Sequence, residues 1–205
     1  EYPFPVAKLA ADLTFALHAV DTVHPAPYAR LTRENLRIYR QELLANLTPA
    51  TRREFYFDIS TLVAAFEDPH TRIYPPVEEY RAYMSQSGRR FPADFVWLAA
   101  ADSLVVMNSH CPELRQGDRV LTINHRPVAK LCQRYARLIP GSSEQRRLAM
   151  VARTFPHFLW LDGVQPLYSV SLERGPEKVF ASNLIGTKEL DPHRQETNHN
   201  GPALQ

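Results

Sequence analysis

Apolar residues recur at helical spacing through the first third of the chain and at strand spacing further on. Leu9, Leu13, Ala16, Leu17 and Val20 fall three or four apart, which puts them on one face of a helix. His24-Pro25 and Pro27 predict its end, because a residue before proline is pushed out of the α region. A second stripe, Leu36, Tyr39, Leu43, Leu44 and Leu47, follows Thr32 as N-cap. A third runs Phe55, Ile59, Leu62, Val63 and Phe66, with Thr48-Pro49 read as a cap followed by proline at the first helical position. Residues 77–86 predict a short fourth helix. Helices with short connections predict a small bundle over residues 1–86.

The pattern changes after Phe91-Pro92. Phe95 to Leu98 and Leu104 to Met107 read as a hairpin around Ala101-Asp102-Ser103. Arg119 to Asn124 reads as a strand reached through the Gly117-Asp118 turn. Helices follow over 128–138 and 144–160, the second capped by Ser142 or Ser143. Phe155, Phe158, Leu159 and Trp160 at its end are core candidates. Tyr168 to Leu172 and Val179 to Leu184 close the region as strands around Arg174-Gly175. Residues 90–186 therefore predict a module of short strands and two helices, so the fold class is α+β. Residues 187–205 read as a polar tail.

Composition supports a packed core, with 44% hydrophobic residues. The 24 basic and 22 acidic residues nearly cancel, and no Lys/Arg cluster forms an arm, which argues against a nucleic-acid partner. No apolar run approaches the roughly 18 residues of a membrane span. No signal peptide is visible. The sequence starts Glu1-Tyr2-Pro3 without Met, which is read as removal of an upstream segment. Cys111 and Cys132 lack metal-ligand spacing. They fit small apolar side chains, a disulfide of an oxidising compartment, or a reactive thiol.

Asp12-Leu13, His24-Pro25, Asp68-Pro69-His70-Thr71, Phe91-Pro92 and the run Gly117 to Asn124, taken in order, resemble the N-terminal part of the tail-specific, or C-terminal-processing, serine peptidases, and their tricorn-type branch in particular. Asp12-Leu13, His24-Pro25 and Asp68-Pro69-His70-Thr71 resemble landmarks of that family's helical domain. Phe91-Pro92 resembles the lead-in to its PDZ-like domain. Gly117-Asp118-Arg119-Val120-Leu121-Thr122-Ile123-Asn124, then Pro127-Val128, resembles the Gly-Asp strand of that domain, and Gly141-Ser142-Ser143-Glu144 fits the segment behind it. The likeness covers roughly residues 6–186.

The resemblance implies a non-catalytic portion of a serine peptidase, binding peptide or unfolded protein tails through the PDZ-like region. It implies no cofactor and no metal, and an extracytoplasmic (periplasmic or secreted) home. In this family the nucleophilic serine lies in a third domain. Ser103, Ser142, Ser143, Ser169 and Ser171 fit caps, turns and strands instead, and none forms a Gly-x-Ser-x-Gly elbow. A catalytic domain from elsewhere, or self-association, is the implied partner. The resemblance assigns His70 as the catalytic base toward that absent serine; imidazole titrates near neutral pH. Asp68 would accept a hydrogen bond from His70 or cap the turn, and Thr71 would hold it. The alternative is a plain helix stop, as for His24. Trp97 fits a groove or the core. Arg146, Arg147 and Arg153 fit acidic peptides or a solvated face. His193 and His199 with Asp191 fit a solvated tail better than a weak metal site.

Overall fold

The computed structural model describes residues 2–182. Four helices come first: α1 (Val6–Val23), α2 (Arg33–Asn46), α3 (Arg52–Ala64) and α4 (Val77–Ser85). Thr32 caps α2 by accepting from the Asn35 amide at 3.2 Å. The start of α3 differs from the sequence reading. Thr51, not Thr48-Pro49, is its cap, with a reciprocal capping box to Glu54. The Thr51 hydroxyl accepts from the Glu54 amide, and the Glu54 carboxylate accepts from the Thr51 amide at 2.8 Å. Residues 48–50 cannot start the helix because Ala50 bridges Phe4, with Phe4 donating to the Ala50 carbonyl at 2.8 Å.

The remaining chain forms β1 (Ala93–Leu98), β2 (Ser103–Ser109), β3 (Arg119–Ile123), β4 (Arg126–Pro127), α5 (Val128–Ala136), α6 (Glu144–Leu161), β5 (Leu167–Leu172) and β6 (Lys178–Ala181). The fold is α+β. One antiparallel sheet has the order β1-β2-β3-β5-β6, with β4 paired to β3. A 3-10 turn over Ala99–Ala101 and left-handed Asp102 join β1 to β2. Gly117, at φ +88°, opens the turn into β3, and its amide donates to the Val106 carbonyl at 2.9 Å. Asn124 and His125 both have positive φ, which makes the tight turn into β4. Asn124 also ties β3 to β5, since its side chain accepts from the Ser169 amide at 2.8 Å. Of the last predicted strand, Asn183-Leu184 lie outside the described residues, as do the polar tail and His193, His199 and Asp191.

Two apolar clusters hold the fold. One joins Leu9 and Leu13 of α1 to Phe55, Ile59, Leu62 and Val63 of α3. The other packs α5 and α6 on one face of the sheet, around Phe95, Leu104, Val120, Ile123, Tyr135 and Phe155. The α3 residue Tyr56 belongs to this second cluster, and Ile73 touches both, so α3 and the segment behind it join the two. Both cysteines are free; burial pushes each thiol's pKa up, which disfavours the reactive thiolate and leaves the small-apolar reading.

Proline shapes α6. Pro156 has no amide hydrogen to bond the preceding turn, and Thr154 leaves helical geometry (φ −115°, ψ 15°). The sequence reading had one unbroken helix here. Behind the kink lies Asp162, whose side chain is only 8% exposed. Arg126 reaches one of its oxygens at 2.6 Å, Arg134 the other at 3.0 Å, and the buried Tyr135 hydroxyl donates to it at 3.0 Å. This fork ties β4, α5 and the end of α6 together. The short helix α4 has no buried residue and docks on α6 through aromatic rings. Tyr80 lies 4.4 Å from His157 and 4.9 Å from Trp160, centroid to centroid, and Arg53 of α3 stacks over Trp160 at 5.2 Å. Among the described residues His157 Nε2 is buried there with no hydrogen-bond partner.

Candidate functional site

The turn after α3 is built around one carboxylate. Left-handed Glu67 (φ 54°) turns the chain out of the helix, and the Thr71 amide donates to the Asp68 carbonyl at 3.1 Å. The Asp68 side chain then gathers three donors. Its Oδ1 accepts from the His70 amide at 3.2 Å. Its Oδ2 accepts from the Thr71 hydroxyl at 2.6 Å and from His24 Nε2 at 2.9 Å. These bonds hold the Asp68 carboxyl below its ordinary pKa, the Thr71 hydroxyl most of all, against an opposing push from burial.

His24 is both a helix end and a partner in this turn. Its amide donates to the Val20 carbonyl at 3.0 Å, which closes α1. Its Nδ1 accepts from the Ala26 amide at 3.0 Å, so the proton sits on Nε2 and points to Asp68. The end of α1 is thereby fastened to the end of α3 across 44 residues.

His70 is placed differently from its neighbours. Its amide is fixed by Asp68, but its side chain is exposed, and among the described residues the imidazole has no hydrogen-bond partner. Asp68 therefore holds the His70 backbone and His24, not the His70 ring. What results is an imidazole on a braced turn, open to a group brought from outside. Ser143 is a cap as its position suggested, whereas Ser103 begins β2 and is not part of the turn before it. Ser143 caps α6, accepting from the Arg146 amide at 3.4 Å, and the Ser103 hydroxyl accepts from Arg119 at 3.2 Å. Ser169 bonds Glu177.

The second feature is the β1 edge. Among the described residues β1 pairs only with β2, so its other side is unpaired in the sheet. Helix α6 runs beside it, with Phe95 and Phe155 rings edge-on at 5.6 Å. Trp97 is partly buried against the same core. Arg146 and Arg153 are solvent-exposed on α6, while Arg147 is half-buried and its Nε has no hydrogen-bond partner among the described residues. The partnership of His24 with Asp68 was missed in the sequence. The only signal was that both residues stood at helix ends.

No family model matches the chain, and no curated protein matches it. Solved structures do. An α+β chain with this layout shares its fold with part of a serine protease of the tail-specific type. That protease is CPAF, a chlamydial enzyme. A serine-to-alanine mutant of CPAF matches with a TM-score of 0.56 at 12% identity, over 87% of this chain and 34% of that one. Mature CPAF matches with a TM-score of 0.52 at 12% identity, over 97% and 38%. Mature CPAF complexed with lactacystin matches with a TM-score of 0.51, over 85% and 34%. At this identity the likeness is one of fold. The chain spans about a third of the length of these structures.

Proposed function

We propose that this chain is the N-terminal, non-catalytic portion of a tail-specific-type serine peptidase, in which residues 1–86 form a helical domain and residues 90–186 a PDZ-like domain that holds peptide tails. The observation that carries this reading is the fold likeness to CPAF over nearly the whole chain. The unpaired edge of β1 supports the binding mode: an extended peptide adds as a strand there, beside α6, and main-chain hydrogen bonds supply much of its affinity. The tricorn-type branch and an extracytoplasmic site belong to the same proposal. Apolar residues on the outer face of the sheet support a partner domain or a second copy as cover. Val96, Met107 and Leu121 there are each more than 40% exposed.

Peptide capture is tested by amide NMR of the chain with unfolded-protein peptides bearing free C-termini. The expected result is a set of shifts in residues 93–98 and along α6 at 149–153, with no peptide cleaved. Shifts confined to other regions, or none, would sink the PDZ-like reading. Cleavage by the chain alone would sink the non-catalytic one.

The open imidazole of His70 favours a second reading, a peptidase completed by a catalytic domain from another chain. His70 then acts as general base toward a serine of that domain. With such a domain supplied, His70→Ala should abolish cleavage and leave the melting temperature nearly unchanged, because the ring makes no bond that the fold needs. A large fall in melting temperature with cleavage retained would show that His70 is structural only.

A further inference from the structure

Helices α1 and α2 leave a groove between them. It has a volume of about 560 Å³ and a floor that includes Leu17, Leu36 and Leu44. Neither side closes it. Helix α2 has no buried residue along its whole length, and α1 buries only Leu9 and Leu13, near its start. A helix in a protein owes most of its stability to packing an apolar face, and α2 has only a half-buried one, Leu36, Leu43 and Leu44 against the α1/α3 core.

The rim carries charge of one prevailing sign. Arg33, Arg37 and Arg40 line the groove from α2, at spacings that put them along one side of the helix. Two have carboxylate partners. Arg33 stacks on Tyr28 at 4.1 Å and faces Asp21 at 3.7 Å, closing one end. Arg37 is held by Glu34 at 2.6 Å. Arg40 reaches only the Thr14 hydroxyl, at 3.4 Å, and has no carboxylate partner among the described residues. Three arginines against two carboxylates leave the rim positive.

We propose that this groove is a docking site for an acidic amphipathic helix of a partner protein. The shape argues for a helix. The lining runs from Arg33 to Leu44 along α2, roughly 16 Å at about 1.5 Å per residue. That length matches apolar anchors at i, i+3 or i+4, and i+7 of a helix laid lengthwise. The floor takes its apolar side chains, and Glu or Asp residues flanking them meet Arg40 and Arg37. Binding completes the burial of Leu36 and Leu44, which α2 now leaves half exposed.

The test uses the full 205-residue chain and two fluorescein-labelled peptides of about 15 residues. Both carry leucines at helical spacing; one is flanked by Glu, the other by Lys. Anisotropy is read at low and high salt. The Glu peptide should bind saturably, and the Lys peptide should not. The Arg37→Glu/Arg40→Glu double variant should weaken the Glu peptide at least about tenfold, and so should high salt. Both arginines are exposed, so the variant should melt like the parent. The proposal is overturned if the Glu peptide fails to bind or binds the variant equally well. It is equally overturned if both peptides bind alike, or if sodium dodecanoate saturates the groove and the peptide does not.

Discussion

Asp162→Ala is expected to destabilise the protein by about 1–3 kcal/mol in urea unfolding, the cost of leaving a buried hydroxyl without its acceptor. Three donors converge on this carboxylate, and their fates differ when it goes. Arg126 and Arg134 are 40% and 52% exposed and can turn to water. The Tyr135 hydroxyl cannot, because the whole ring is buried. Its unmet hydrogen bond accounts for that cost. The Asp162 carboxylate also pushes the Tyr135 pKa further up, second to burial, which fits a hydroxyl that stays protonated and donates. Asp162→Asn keeps an acceptor for Tyr135 and loses only the charge, so it should cost less than Asp162→Ala. A variant Asp162→Ala within about 0.5 kcal/mol of the parent would mean that the fork is surface decoration.

Lowering the pH from 6.5 to 4 should cost about 3 kcal/mol of stability through His157 alone. Burial lowers this imidazole's pKa to about 4, against about 6.5 in the unfolded chain. Between those values the unfolded state binds the proton and the folded state does not. The contribution is therefore whole above pH 6.5 and is lost as pH falls toward 4. The neighbours do not help the charged form. Tyr80 packs on it from α4 and Trp160 from its own helix, Tyr83 and Arg53 contact that Trp160, and Arg90 acts on Tyr80 from the lead-in to β1. Glu79, on α4, is turned toward Arg52 at 3.5 Å. His157→Phe keeps a ring against Tyr80 and Trp160 and removes the titration. Its urea midpoint should fall less than the parent's between pH 6.5 and 4. Parallel pH curves for the two proteins would show that His157 is hydrated in solution.

The helices were readable because each carries its apolar stripe in local spacing, the hairpin because Asp102 punctuates it, and β3 because the Gly117-Asp118 turn introduces it. The start of α3 was misread although the signal was present. Thr51 and Glu54 form a capping box three residues apart, and Pro49 drew attention to the wrong threonine. Pro156 was likewise a visible kink signal inside an otherwise periodic helix. Other features were beyond local reading. His24 meets Asp68 across 44 residues, and Arg126 and Arg134 meet Asp162 only after two helices have folded back on the sheet. His157 reads as one more residue at an aromatic helix end, because only the placing of α4 buries its ring nitrogen.

The sheet begins and ends at one place. The Ser182 hydroxyl donates to the carbonyl of Arg90, and its amide to that of Pro166 at 3.0 Å. Phe91 packs at 4.6 Å on Tyr168 and at 6.0 Å on Phe180. A stretch whose two ends lie side by side behaves as an insert, which a surrounding chain can gain, lose or exchange with little change in its own path. Any unit exchanged for residues 91–182 would have to keep a seat for Tyr56 of α3, which packs in the core of the sheet.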